Sequence, residues 1–107
     1  MSETHPQSEC QRVVVFYAGT VQGVGFRATT KRIAKNHAVT GWVRNEDDGR
    51  VQLQTQGNTQ AVDGFLGEIA STLAHRIETM TKQAAPVQQD ESDFSIQRKL
   101  WMQKWSN

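Results

Sequence analysis

The sequence predicts an α+β fold: two helices packed on one face of a mixed, mainly antiparallel sheet, in the order βαββαβ with a short extra C-terminal segment. Three observations predict it. The apolar spacing changes from strand-like to helical and back along the chain. An Asn-Glu-Asp-Asp-Gly turn at 45–49 joins two strand-like runs with no room for a helix between them. At 107 residues the chain has material for one modest core and not for two.

The elements follow in order. Residues 1–10, MSETHPQSEC, read as a disordered lead-in to a domain spanning 11–98. Gln11 to Tyr17 is a valine-rich apolar run, suited to a central strand covered on both faces or to one with helices on a single side. A glycine-rich loop follows. From Phe26 the period changes: Phe26, Thr30, Ile33, Ala34 and His37 fall on one helical face, with Lys31, Arg32 and Lys35 on the other. His37 is expected at that helix's C-terminus, where its charge suits the dipole.

Val39 to Val43 is a second strand, and Asp48-Gly49 supplies the positive φ of a hairpin turn. Val51, Leu53 and Thr55 then alternate with Gln52, Gln54 and Gln56, as in a half-exposed strand. Gly57-Asn58-Thr59 breaks it, and Asn58 or Thr59 can cap a second helix lined by Val62, Phe65, Leu66, Ile69 and Leu73. Arg76 to Met80 reads as a fourth strand with Ile77 inward, Gln83 to Asp93 as turn or loop, and Phe94-Ser95-Ile96 as a short closing strand. In the tail at 99–107, Leu100, Trp101 and Trp105 are too apolar for a free end and are expected to dock. Each helix is a crossover between parallel strands, since none fits inside a tight hairpin. Such a run gives a ferredoxin-like sandwich.

The bulk composition narrows the function. A formal net charge of +1 gives no general attraction to nucleic acid or to an anionic membrane, so an anion site must be built locally. The single cysteine, Cys10, permits no intrachain disulfide and fits a reducing compartment. No apolar stretch approaches the roughly 20 residues of a membrane span, and the N-terminus lacks the order of a secretory signal. A cytoplasmic protein is expected.

The stretch Ala18-Gly19-Thr20-Val21-Gln22-Gly23-Val24-Gly25-Phe26-Arg27 holds the chemistry. Gly23-Val24-Gly25-Phe26-Arg27-Ala28 fits the G-x-G-x-x-A dinucleotide pattern, with Glu46 near the expected acidic position. The short chain and the tight hairpin after the second strand count against that fold. A P-loop is excluded because no Lys-Ser or Lys-Thr follows the glycines. A plain turn is the remaining alternative. Arg27 tilts the balance toward a phosphate site: glycine-flanked amides form an anion nest, and a guanidinium in a first helical turn is disfavoured unless an anion holds it.

Gly19-x-Val21-Gln22-Gly23-Val24-Gly25-Phe26-Arg27, followed by Gly41-Trp42-Val43-x-Asn45-x-x-Asp48-Gly49-x-Val51, resembles the acylphosphatase family. The resemblance implies the ferredoxin-like fold and the hydrolysis of small acyl phosphates to carboxylate and inorganic phosphate, with no metal or cofactor. It places the phosphate-binding arginine on Arg27, the water-positioning asparagine on Asn45, and the cradle of backbone amides on Thr20, Val21, Gln22, Gly23, Val24 and Gly25. It also implies a monomer. Glu46, beside Asn45, departs from the family pattern. Two outcomes stay open for it: a carboxylate facing the site would weaken phosphate binding, whereas one pointing outward would not, since adjacent strand residues face opposite ways.

Other candidates weigh less. His5, His37 and His75 are scattered and form no metal-ligand spacing. Trp42 and Phe26 read as packing residues, and Glu46-Asp47-Asp48 as an acidic turn. Two rival functions stay open: a non-catalytic domain that binds a phosphorylated metabolite, kept alive by Glu46, and a nucleic-acid-binding domain. The second would need exposed strand aromatics and a basic face. No nucleic-acid or membrane partner is expected.

Overall fold

A computed structural model describes residues 9–98. The expectations for the lead-in before Glu9 and for the tryptophan-bearing tail after Arg98 lie outside the described residues. The elements are β1 (Cys10–Gly19), α1 (Phe26–Ala34), β2 (Thr40–Asn45), β3 (Val51–Asn58), α2 (Thr59–Thr72), β4 (Ile77–Ala85) and β5 (Phe94–Ile96).

The sheet runs β4-β1-β3-β2-β5. β1 pairs antiparallel with both β3 and β4, β2 pairs antiparallel with β3, and β5 is parallel to β2. β1 and β2 therefore run the same way with β3 between them, so α1 is a crossover between parallel strands. The chain is a ferredoxin-like α+β sandwich with one added edge strand.

Period-two alternation divides the central strands. On β1, Val13, Val15 and Tyr17 are buried, while Val14, Phe16 and Ala18 are half-buried on the other face. Val51, Leu53 and Thr55 of β3 continue the buried layer. Phe26 and Ile33 of α1, with Val62, Phe65 and Ile69 of α2, close over it. Asn58 caps α2, its side-chain oxygen accepting from the Ala61 amide at 2.8 Å.

Several boundaries differ from those the sequence predicts. α1 ends at Ala34, and the following turn carries His37 beyond the helix, where its Nε2 meets Glu68 Oε1 at 2.8 Å. β2 continues to Asn45, so that residue is the last of a strand. β4 continues to Ala85 through residues expected in part as loop, because it pairs along β1 from Arg12 to Gly19. Cys10, assigned to the lead-in, opens β1 and is exposed.

The connection from β4 to β5 joins the two edges of the sheet. It is pinned to the face opposite the helices. The Arg12 guanidinium donates to Glu91 Oε1 at 2.8 Å and Oε2 at 3.2 Å, and Gln56 exchanges two 2.8 Å bonds with the main chain of Gln88.

Candidate active site

The site lies where β1 and β2 end. In register, Tyr17 is opposite Val51, and Val51 is opposite Asn45. Tyr17 and Asn45 are thus two strands apart, roughly 10 Å. The glycine loop leaves β1 beside the hairpin that leaves β2.

The loop is fixed by its apolar side chains and presents its main chain. Val21 is buried and Val24 packs against the core. A bulge at Ala18/Gly19 turns β1 out of its pairing with β4, and the Thr20 amide donates to the Arg76 carbonyl at 2.9 Å. That bond commits one of the six amides the sequence reading assigned to the phosphate cradle. The amides of Val21, Gln22, Gly23, Val24 and Gly25 donate to no acceptor among the described residues. Gly23 and Gly25 hold φ of +75° and +79°, which bends those amides into a nest.

Gly25 is also the N-cap of α1. It offers no side-chain cap, and no acidic residue lies in the first turn. The partial positive charge of that helix end is therefore unneutralised by the chain. Arg27, half-buried in the first turn, has no hydrogen bond or ion pair among the described residues. A cation in the first turn of a helix that follows a run of free amides, with no carboxylate pairing it among the described residues, is a combination that favours an anion.

Asn45 is the second unusual group. Its Oδ1 is buried and has no hydrogen-bond partner. A buried carbonyl oxygen left unpaired costs about 1–3 kcal/mol, which makes it a candidate acceptor. Glu46 turns the other way. Its Oε2 accepts from Arg44 Nε at 2.9 Å and from Gln52 Nε2 at 2.6 Å, on the face opposite the helices. The carboxylate is neutralised there and aimed away from the loop.

One contact was not legible in the sequence. The Gln22 side chain reaches the β2–β3 hairpin, where Nε2 donates to the Glu46 carbonyl at 2.8 Å and to the Arg50 carbonyl at 2.9 Å. The sequence points to the Gln22 main-chain amide and assigns its side chain no partner. Its neighbours, a glycine and a buried valine, give no sign of where the side chain points.

The remaining candidates stay apart from the site. Phe26 is buried against Tyr17, with ring centroids 5.2 Å apart. Trp42 lies on the opposite face, with the Arg44 guanidinium 4.8 Å above its ring. Among the described residues no three His, Cys, Asp or Glu side chains are grouped to hold a metal ion. No described helix is long and apolar enough to cross a membrane.

Comparison with known proteins identifies the family and the fold. The acylphosphatase family profile matches residues 13–96. An acylphosphatase of Geobacillus kaustophilus is 41% identical over 87 residues, covering 80% of this chain and 93% of that protein. The crystal structure of acylphosphatase from Bacillus subtilis superposes with a TM-score of 0.71 at 26% identity, covering 80% of this chain and 97% of that one. An acylphosphatase structure from Coxiella burnetii shares the fold with a TM-score of 0.73 at 24% identity, covering 89% of this chain and all 100% of that one.

Proposed function

The chain belongs to the acylphosphatase family and hydrolyses acyl phosphates, and from that premise we propose how its own residues carry the reaction. Arg27 and the free amides of Val21 to Gly25 bind the phosphoryl oxygens. Asn45 Oδ1 accepts a hydrogen bond from the attacking water and sets it in line with the bond that breaks. The observation that carries this reading is the pairing of unpartnered groups at one end of the sheet: a cation with free amides on one strand's exit, and a buried oxygen on the next.

The chemistry asks little more. Water attacks phosphorus, the bond from phosphorus to the acyl oxygen breaks, and the carboxylate departs with that electron pair. A carboxylate leaves readily, so no general acid is required. The water's proton passes to a phosphate oxygen. Asn45 orients the water but takes no proton. The planar fork of Arg27 holds two oxygens at once. The amides are fixed before the substrate arrives, so charge on the transferred group is stabilised with little reorganisation. We propose that this proceeds without metal or cofactor, in a cytoplasmic monomer that binds no nucleic acid.

The test is hydrolysis of benzoyl phosphate in EDTA by the wild type, Arg27→Ala and Asn45→Ala. We expect metal-independent turnover, lowered roughly 10²–10³-fold by Asn45→Ala and further by Arg27→Ala. Phosphate binding without turnover in the wild type would refute the reading in favour of a non-catalytic phosphate-binding domain. The turn of Glu46 away from the loop removes the feature that favoured that alternative.

A further inference from the structure

We propose that the Gln22 side chain is a positioning residue that sets the distance between the phosphate cradle and the water-orienting Asn45, an inference that rests on the site reading above. Binding phosphate and placing water are done by two separate segments, the loop after β1 and the hairpin after β2. Catalysis needs them in register to a fraction of an ångström, since a misplacement of about 1 Å can lower the rate 10²-fold. The backbone of the sheet fixes Tyr17 and Asn45, but the loop extends beyond the last pairing of β1.

Gln22 spans that gap. Its two amide protons go to two carbonyls, those of Glu46 and Arg50. The amide orientation is chemically forced, because a carbonyl oxygen in that place would face two others. The two acceptors are the two ends of the hairpin turn. The Glu46 amide donates back to the Arg50 carbonyl at 2.8 Å, and the Gly49 amide to the Glu46 carbonyl at 3.2 Å. One side chain thus completes the bonding of the turn and fastens it to the loop. Glu46 directly follows Asn45, so the fastening acts one residue from the buried Oδ1. The opposite end of the loop is held separately, by the Thr20 amide on the Arg76 carbonyl. Removing Gln22 therefore frees the loop from the hairpin while leaving its attachment to Arg76, just before β4.

The experiment combines Gln22→Met, which keeps length but has no donor, with Asn45→Ala in a double-mutant cycle. Benzoyl phosphate kcat and KM, inhibition by inorganic phosphate, and the urea midpoint are measured for wild type, each single variant and the double variant. We expect Gln22→Met to lower kcat roughly 10–100-fold. That loss should shrink to less than about 3-fold in the Asn45→Ala background, where no placed water remains to be displaced. Gln22→Glu, which sets a carboxylate against two carbonyls, should lower kcat further. A kcat within about 2-fold of wild type for Gln22→Met overturns the inference, as does an equal loss in both backgrounds. An inactive wild type would instead refute the hydrolase reading, and this inference with it.

Discussion

The strap over the open face offers a quantitative test of what holds the domain together. Arg12 and Glu91 are 79 positions apart, with side chains only 2% and 15% exposed. The guanidinium uses four of its five N–H groups: it makes the bidentate contact with Glu91 and donates to Gln54 Oε1 at 3.1 Å and Gln56 Oε1 at 2.9 Å. Glu91 Oε1 also accepts from Thr40 Oγ1 at 2.7 Å. Replacing one member of a buried pair costs roughly 3–5 kcal/mol, because the other charge is left desolvated. Arg12→Met should lie near the lower end, about 3 kcal/mol, since Thr40 and some solvent still serve the carboxylate. Glu91→Met strands a more deeply buried cation and should cost about 3–4 kcal/mol. The double variant removes both charges and should be close to neutral, within about 1 kcal/mol of wild type. For a domain of this size each kcal/mol is worth roughly 4–8 °C in Tm, so the singles are large against a total of about 5–15 kcal/mol. Urea denaturation at pH 7 followed by far-UV circular dichroism reads all four. Arg12 precedes Tyr17 by five residues, roughly 16 Å along β1, so kcat of the folded variants should be unchanged. Single costs below about 1 kcal/mol that add in the double variant would refute the argument that the strap depends on a desolvated pair.

Two further substitutions test the core and the sheet. The Tyr17 hydroxyl is buried without a partner, and burial pushes its ionisation well above the ordinary tyrosine range. Tyr17→Phe should therefore stabilise the protein by about 1–2 kcal/mol at pH 7. Wild-type stability is complete below the unfolded tyrosine value of about 10 and declines as the pH rises beyond it. The advantage of Tyr17→Phe should thus widen between pH 7 and 10.5 in urea titrations, and a destabilised variant would show that the hydroxyl is satisfied. A β-carbon at Gly41, whose φ is +145°, would clash with the Gln54 carbonyl oxygen, whereas one at Gly23 would meet no atom within 4 Å. Gly41→Ala should fail to give a cooperative unfolding transition, while Gly23→Ala should lose only about 1–2 kcal/mol to its left-handed backbone. Equal urea midpoints for the two would refute the distinction.

Much of the fold was legible because its core strands and helices carry strong periods. Val13, Val15 and Tyr17 alternate, as do Val51, Leu53 and Thr55, and both helices keep their apolar residues on one face. β4 escaped that signal at its far end. Residues 81–85, TKQAA, lie on an edge strand and are mostly exposed, so no apolar alternation marks them. Their extended form comes from pairing with β1, a tertiary cause that a local pattern does not register. The same holds for the strap. The Arg12–Glu91 pair exists only because β1 is central and the β4–β5 connection crosses from edge to edge.

The candidate site was legible for a different reason. Its proposed groups are main-chain amides and the residues that follow them, so a glycine pattern in sequence is already a statement about geometry. Alternation supplied the rest. Asn45 and Glu46 are adjacent, and the period of two sends them to opposite faces. The buried Oδ1 of the first and the Arg44–Gln52 contacts of the second follow from that division. A carboxylate at position 46 is therefore compatible with a phosphate site, because its charge is spent on the far face of the sheet. Were it one residue earlier, it would enter the buried row beside Val51 and oppose the anion that, in the proposed mechanism, Arg27 and the free amides hold.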